Sequence, residues 1–171
     1  MLSAADLSDR VEIVDACLRF HWCYDRRNWD ELGAVLHDVV SMPTLEELRE
    51  DPSFDPEHYL DRFERARDDV TRGLSSFAEG LVTQHLVAGH QVRINGDAAV
   101  CEAHAINVHL RDDDAAAAPL WHGNIYRFDL VRTAAGWRIA GVVPGIVWSR
   151  GDGSFHDVAA KQRAWIDSME R

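Results

Sequence analysis

The order of elements predicts an α+β fold, in which helices come first, four antiparallel strands follow, and the helices pack on a curved sheet. The period of the apolar residues carries this reading. Up to about Arg72 they recur at spacings of three and four, and from Val82 onward they alternate. A turn signal, Asn95-Gly96-Asp97, sits between two alternating runs and joins them as a hairpin.

Taken in order, Ser3 or Asp6 can cap a first helix that runs to about Tyr24. Leu7, Val11, Val14, Leu18, Trp22 and Asp25 share one face of it, expected to pack inward. Asn28 caps a short second helix to about Leu36, and Val39 to Met42 is a short strand stopped by Pro43. Thr44 to Pro56 reads as an acidic insertion with one helical turn. Pro56 then opens a helix to about Arg72, with Tyr59, Phe63, Ala66 and Val70 inward. Val82 to Ile94, Val100 to Leu110, Leu120 to Val131 and Trp137 to Val143 are the four strands, with Ala134-Ala135-Gly136 a second turn. A Gly-rich loop leads into a last helix, about His156 to Met169. No repeat or linker divides the chain, so residues 1–171 are expected to form a single domain.

Composition narrows the function. A hydrophobic fraction of 46% and a charged fraction of 27% are ordinary for a globular protein. The formal net charge of −11 argues against nucleic acid or an anionic membrane as partner. No basic-plus-apolar leader precedes Asp6 and no run of eighteen apolar residues occurs, so a cytoplasmic protein is expected. Cys17, Cys23 and Cys101 show no metal-type or CxxC spacing and read as reduced, buried thiols. No dinucleotide, phosphate-loop, nucleophile-elbow or zinc-protease motif is present, so no cofactor is expected.

Asp25 is the conspicuous residue, because a carboxylate that continues an apolar stripe must be paired or protonated. His85, His90, His104 and His122 fall on strands that could face a cavity. A lone strand histidine is usually a satisfied, half-buried residue, which is the reading favoured for His90, His109 and His122. His85 is out of phase with Val92 and Ile94 unless a bulge at Ala88-Gly89 resets the alternation. With that bulge, His85 and Val87 join His90, Val92 and Ile94 on one face. His104 shares a face with Val100, Ile106, Val108 and Leu110, and Asn124 with His122, Tyr126, Phe128 and Leu130.

Several stretches together resemble the SnoaL-like family of the nuclear-transport-factor-like superfamily, with the nearest likeness to the scytalone dehydratases. They are Asp9-Arg10-Val11-Glu12-Ile13, Tyr24-Asp25 followed by Asn28-Trp29-Asp30-Glu31-Leu32, Thr83-Gln84-His85-Leu86-Val87, and Gly136 to Gly141. The resemblance implies a cone, a strongly curved sheet closed by the N-terminal helices, and a homotrimer with a dimer as the alternative. It implies catalytic roles for Tyr24, Asp25, His85 and His104. It makes Asn124 a substrate-binding residue; His122, where the family has a serine, and Trp148 complete that expected set. One departure stands out, since the second tyrosine of those dehydratases should lie near Met42 to Thr44 and does not.

A carboxylate that orients an imidazole leaves its other nitrogen free as a base. Removing a proton α to a carbonyl and protonating a departing hydroxyl needs a base, an acid and a donor for the enolate oxygen. Asp25, His85, His104 and Tyr24 could supply these without metal, and whether Asp25 pairs with His85 or His104 is open. The expected function is a cofactor-independent lyase of dehydratase type, acting on a small, largely apolar, cyclic oxygenated substrate. The alternatives are an isomerase, polyketide cyclase or dehydrohalogenase with the same proton-transfer site, or a non-catalytic binding or assembly module. Metal held by Asp25, His85 and His104 fits by ligand type but has no local ligand spacing.

Overall fold

The computed structural model describes residues 3–43, 51–55, 62–113 and 116–153. Three helices and six strands follow in the order α1 (Ala4–Arg26), α2 (Trp29–Val35), β1 (Leu36–Pro43), β2 (Arg62–Ala66), α3 (Arg67–Ala78), β3 (Leu81–Asn95), β4 (Ala98–Arg111), β5 (Leu120–Thr133) and β6 (Gly136–Arg150). The strands form one curved sheet in the order β2-β1-β6-β5-β4-β3. Every neighbouring pair is antiparallel except β1 with β6, which is parallel. The fold is α+β, as expected, with the long strands β3 to β6 as its body. The anticipated C-terminal helix at 156–169 lies outside the described residues, as do residues 44–50 of the predicted insertion.

One element is reassigned. The helix expected from Pro56 to Arg72 is replaced over 62–66 by strand β2, which pairs with β1, and the helix occupies Arg67–Ala78 instead. Residues 56–61 lie outside the described residues. The 3.6-residue pattern through Phe63, Ala66 and Val70 could not reveal that β1 offers a free edge, and pairing with that edge overrode local propensity.

Helix α1 starts on a capping box. Ser3 Oγ accepts the Asp6 N–H at 3.1 Å, and Asp6 Oδ2 accepts the Ser3 N–H at 2.9 Å. Its buried side is Ile13, Ala16, Cys17, Phe20, His21 and Cys23. The stripe expected to face inward faces outward, with Val11 70% and Trp22 67% exposed and Leu7 and Leu18 also exposed. Apolar residues line both sides of this helix, so periodicity alone cannot choose between them. Packing of Phe20 edge-on to Phe128, ring centres 5.7 Å apart, settles the choice.

The Asp9 to Ile13 motif explains how α1 is held. Arg132 donates to both carboxylate oxygens of Asp9, and the buried Trp137 donates its indole N–H to Asp9 Oδ1 at 3.1 Å. Glu12 accepts the Trp137 backbone N–H at 2.9 Å, and Arg10 donates to the Val92 carbonyl at 2.9 Å. These contacts tie the start of α1 to the β5–β6 turn and to β3. Gly136 is required there, because its φ is +96° and a Cβ would overlap the Glu12 carboxylate.

Candidate active site

Asp25 lies in the last turn of α1, which ends on Arg27 in the left-handed conformation (φ 58°, ψ 28°). The Arg27 N–H donates to the Tyr24 carbonyl and the Asn28 N–H to the Cys23 carbonyl, the pattern of a Schellman terminus usually built on glycine. An arginine is held there by four hydrogen bonds of its two terminal guanidinium nitrogens. Nη1 donates to the Tyr24 carbonyl at 2.6 Å and to Thr83 Oγ1 at 3.0 Å, while Nη2 donates to the Ala78 and Leu81 carbonyls. The end of α1 is thereby clamped onto the start of β3.

The bulge at Ala88-Gly89 is present. The β3–β4 register shifts between Ala88 and Gln91, and Gly89 takes φ +72°. It turns His85 inward. Asp25 Oδ2 accepts the His85 backbone N–H at 2.8 Å, and Oδ1 accepts from His85 Nδ1 at 2.7 Å and from Thr83 Oγ1 at 2.9 Å. The side chains are 18% exposed for Asp25 and 6% for His85. Burial pushes the Asp25 pKa up, but the hydrogen bond and charge of His85, the backbone N–H and Thr83 outweigh it, and the net shift is downward. Since a carboxylate only accepts, Nδ1 carries a proton, and in the neutral ring Nε2 is the basic nitrogen.

Around the dyad stands a tier of polar and aromatic groups. The Tyr24 ring is edge-on to His85 with centres 5.4 Å apart, and burial raises its phenol pKa, so the hydroxyl keeps its proton. His109 faces His85 at 6.1 Å between ring centres, and His122 is 5.3 Å beyond His109. His122 Nδ1 lies 2.9 Å from Ser149 Oγ. Asn124 is buried on the same side, and Asn107 donates its Nδ2 to the Tyr126 hydroxyl at 3.0 Å. The site opens between α1 and β3 as a cleft of about 390 Å³ that Trp22, Asp25, Thr83, His85 and Leu110 line.

His104 is not among these groups, which corrects the expected convergence. It pairs with Ala88 and Ile125, is exposed, and points to the outer face of the sheet. The inward side of β4 is Ala99, Cys101, Ala103, Ala105, Asn107 and His109, not the more apolar Val100–Leu110 set. His104 and His109 are five residues apart, an odd number, and strand alternation puts them on opposite faces. His109, expected to be a bystander, is the histidine brought toward His85. Trp148 packs on Gly123, where a Cβ would overlap the indole, and borders a second cleft with His104 and Asn124. Near Met42 and Pro43 no tyrosine occurs; the described interior instead holds Tyr126. Thr83, Arg27 and His21 also belong to the site. Even spacing from His85, or one helical turn from Asp25, was the only sequence signal for Thr83 and His21. Among the described residues no cluster of three His, Cys, Asp or Glu groups is arranged to hold a metal, and no helix is long and apolar enough to cross a membrane.

A curved sheet clasped by N-terminal helices, with a buried carboxylate–imidazole pair inside, defines the class. The chain belongs to the SnoaL-like domain family, which it matches over residues 5–143. An uncharacterised protein of Mycobacterium tuberculosis is 28% identical over 148 residues, covering 81% of this chain and 86% of its own. Among solved structures, a scytalone dehydratase-like protein from Novosphingobium aromaticivorans superposes with a TM-score of 0.69 at 12% identity, covering 88% of this chain and 92% of its own. A type 2 hexachlorocyclohexane dehydrochlorinase superposes with a TM-score of 0.63 at 10% identity, covering 88% of this chain and 93% of its own. At these identities the structural matches establish the fold.

Proposed function

We propose that the protein is a cofactor-independent lyase of dehydratase type, in which Asp25 and His85 carry out proton transfer on a small, largely apolar, cyclic oxygenated substrate. The observation that carries this reading is the double contact of one carboxylate with His85. It fixes both the backbone and the tautomer of the imidazole and leaves Nε2 bare at a cleft.

In the reaction, His85 Nε2 takes the proton α to the substrate carbonyl, and Asp25 stabilises the imidazolium that forms. The C–O bond to the β-hydroxyl then breaks, its electron pair leaving on oxygen, and a proton returned to that oxygen completes water. His109, facing His85, is the second histidine in this scheme, in the place for which His104 was expected. Tyr24, held protonated by burial, donates to the developing enolate oxygen. Asn124 and His122, buried on the inner side of β5, orient the ring from there, while Trp148 borders the second cleft beside Asn124. General acid–base assistance of this kind contributes about 10²–10⁴-fold.

The same base serves a second reading, an isomerase, cyclase or dehydrohalogenase. The absence of a tyrosine at Met42 and Pro43 and the fold shared with a dehydrochlorinase favour it. Racemic 3-hydroxycyclohexanone in D2O tests the shared step, because proton abstraction shows as deuterium at the α-carbon and elimination as cyclohexenone. The wild type should accelerate exchange, and Asp25→Asn should lower it by about 10³-fold while keeping the fold. Exchange no faster than buffer across a panel of cyclic ketones, or an undiminished Asp25→Asn, would overturn the proposal.

A further inference from the structure

His21 precedes Asp25 by one helical turn on α1, on the buried side. A histidine packed among aromatic rings is ordinarily a core residue with both ring nitrogens engaged. Here one is engaged. Nδ1 lies 3.0 Å from the Cys17 carbonyl oxygen, one turn back. A carbonyl only accepts, so Nδ1 carries the proton and Nε2 carries a bare lone pair. The residue is 3% exposed, and Nε2 has no hydrogen-bond partner. Because Nδ1 turns back toward α1, Nε2 stands at the far edge of the ring, away from the helix.

The Nε2 atom is itself sealed from solvent, and the ring's surroundings place it beside the dyad. It is edge-on to Tyr126, with centres 4.5 Å apart, and lies 5.2 Å from the His85 ring. It lines a cleft of about 430 Å³ together with Asp25, His85, Trp22, Leu86 and Val87. Burial first, and then His85, push its pKa down to about 3, so at neutral pH the ring neither gives nor takes a proton. An unpaired acceptor buried this deeply costs stability in the free protein. A bound hydroxyl would remove that cost.

We infer that His21 is a substrate-binding residue whose Nε2 accepts a hydrogen bond from a hydroxyl group of the bound molecule, beside the carbon on which His85 acts. The inference rests on the Asp25–His85 cleft being the active site, and it narrows the substrate class. The cyclic substrate must carry an O–H donor, phenolic or alcoholic, near the reacting carbon. An ether or a chlorine in that place would leave Nε2 unpaired in a desolvated pocket, and sites of this kind discriminate strongly against the analogue without the donor.

Phenol and anisole are a suitable probe pair, because anisole keeps the ring and the oxygen but lacks the donor. Binding is followed by 15N–1H correlation of the histidine rings, with the His21 signals assigned by their loss in His21→Phe. Phenol should move the His21 Nε2 resonance toward that of a hydrogen-bonded acceptor and bind at least about 10-fold more tightly than anisole. His21→Phe should bring the two probes within about twofold of each other and raise Tm, since it deletes an unpaired buried acceptor. His21→Gln, which returns an acceptor oxygen, should restore part of the preference. If His21→Phe does not fold, the wild-type nitrogen shift and His21→Gln decide. Equal affinity for the two probes in the wild type overturns the inference, as does phenol that perturbs Asp25 and His85 but leaves His21 Nε2 unmoved; the active-site reading survives both. Probes that perturb neither Asp25 nor His85 defeat that reading and the inference together.

Discussion

Arg27 Nη1 donates to Thr83 Oγ1 at 3.0 Å, and the Thr83 hydroxyl donates onward to Asp25 Oδ1 at 2.9 Å. The arginine occupies a backbone conformation that glycine adopts more readily, and its four hydrogen bonds hold it there. The carboxylate is thus aimed by two residues that need not touch a substrate.

Thr83→Val removes the hydroxyl while preserving shape. The Asp25 pKa should rise, because one of the donors that lower it is gone, and turnover should fall about 10-fold. Thr83→Ser should restore both. A 13C titration of the Asp25 carboxyl, run beside the exchange assay, separates this from a general loss of packing; an Asp25 titration unchanged in Thr83→Val would refute the positioning role.

His109 and His104 make a paired comparison. His109 is buried and faces His85, whereas His104 is exposed on the outer face. His109→Ala should cut turnover by at least about 10²-fold, the usual contribution of an acid–base group, and His104→Ala should stay within about twofold. The opposite ranking in the exchange assay would return the second histidine's role to His104.

Stability should fall as pH drops below neutrality, in two stages. His21 is held neutral in the folded protein, with its pKa pushed down to about 3 from the ordinary 6.5 by burial and then by His85. Between those values the unfolded chain binds the extra proton, so stability declines as pH falls through the window, by up to about 1.4 kcal/mol per pH unit. Asp25, whose net shift is downward, contributes stability that is present above the ordinary carboxylate range and is lost as pH falls through its lowered folded value. Urea melts across this range should show both stages in the wild type. His21→Phe should flatten the first and leave the second.

Four elements turn apolar side chains to solvent: Leu7, Val11, Leu18 and Trp22 on α1, Val82 and Leu86 on β3, Leu110 on β4, and Trp121 on β5. Large apolar side chains exposed in such number often mark an interface. We expect the homotrimer that the family resemblance implies, with a dimer as the alternative. Light scattering at micromolar concentration should give a multiple of the 19.3 kDa chain mass. A monomer there would contradict the expectation, and Trp22→Glu should shift the oligomer toward one.

The sequence by itself determined the class of fold and the hairpin turns, offered the bulge at Gly89 as the condition for an inward His85, and reached Asp25 through a stripe that in fact faces outward. Each of these rests on a local rule: the alternation of strand side chains, the need of tight turns for glycine, and the cost of an unpaired buried carboxylate. Only the tertiary structure decided which side of α1 and β4 is inside. Both elements carry apolar residues on two faces, and the greasier face is the outer one, so hydrophobicity pointed the wrong way for Val11, Trp22 and His104. Strand β2 formed for a related reason, since the free edge of β1 that it completes lies about twenty residues earlier in the chain and has no trace in the local pattern. The clamp of Arg27 on Thr83 and the bare nitrogen of His21 likewise depend on contacts between residues far apart in sequence, where no spacing rule reaches.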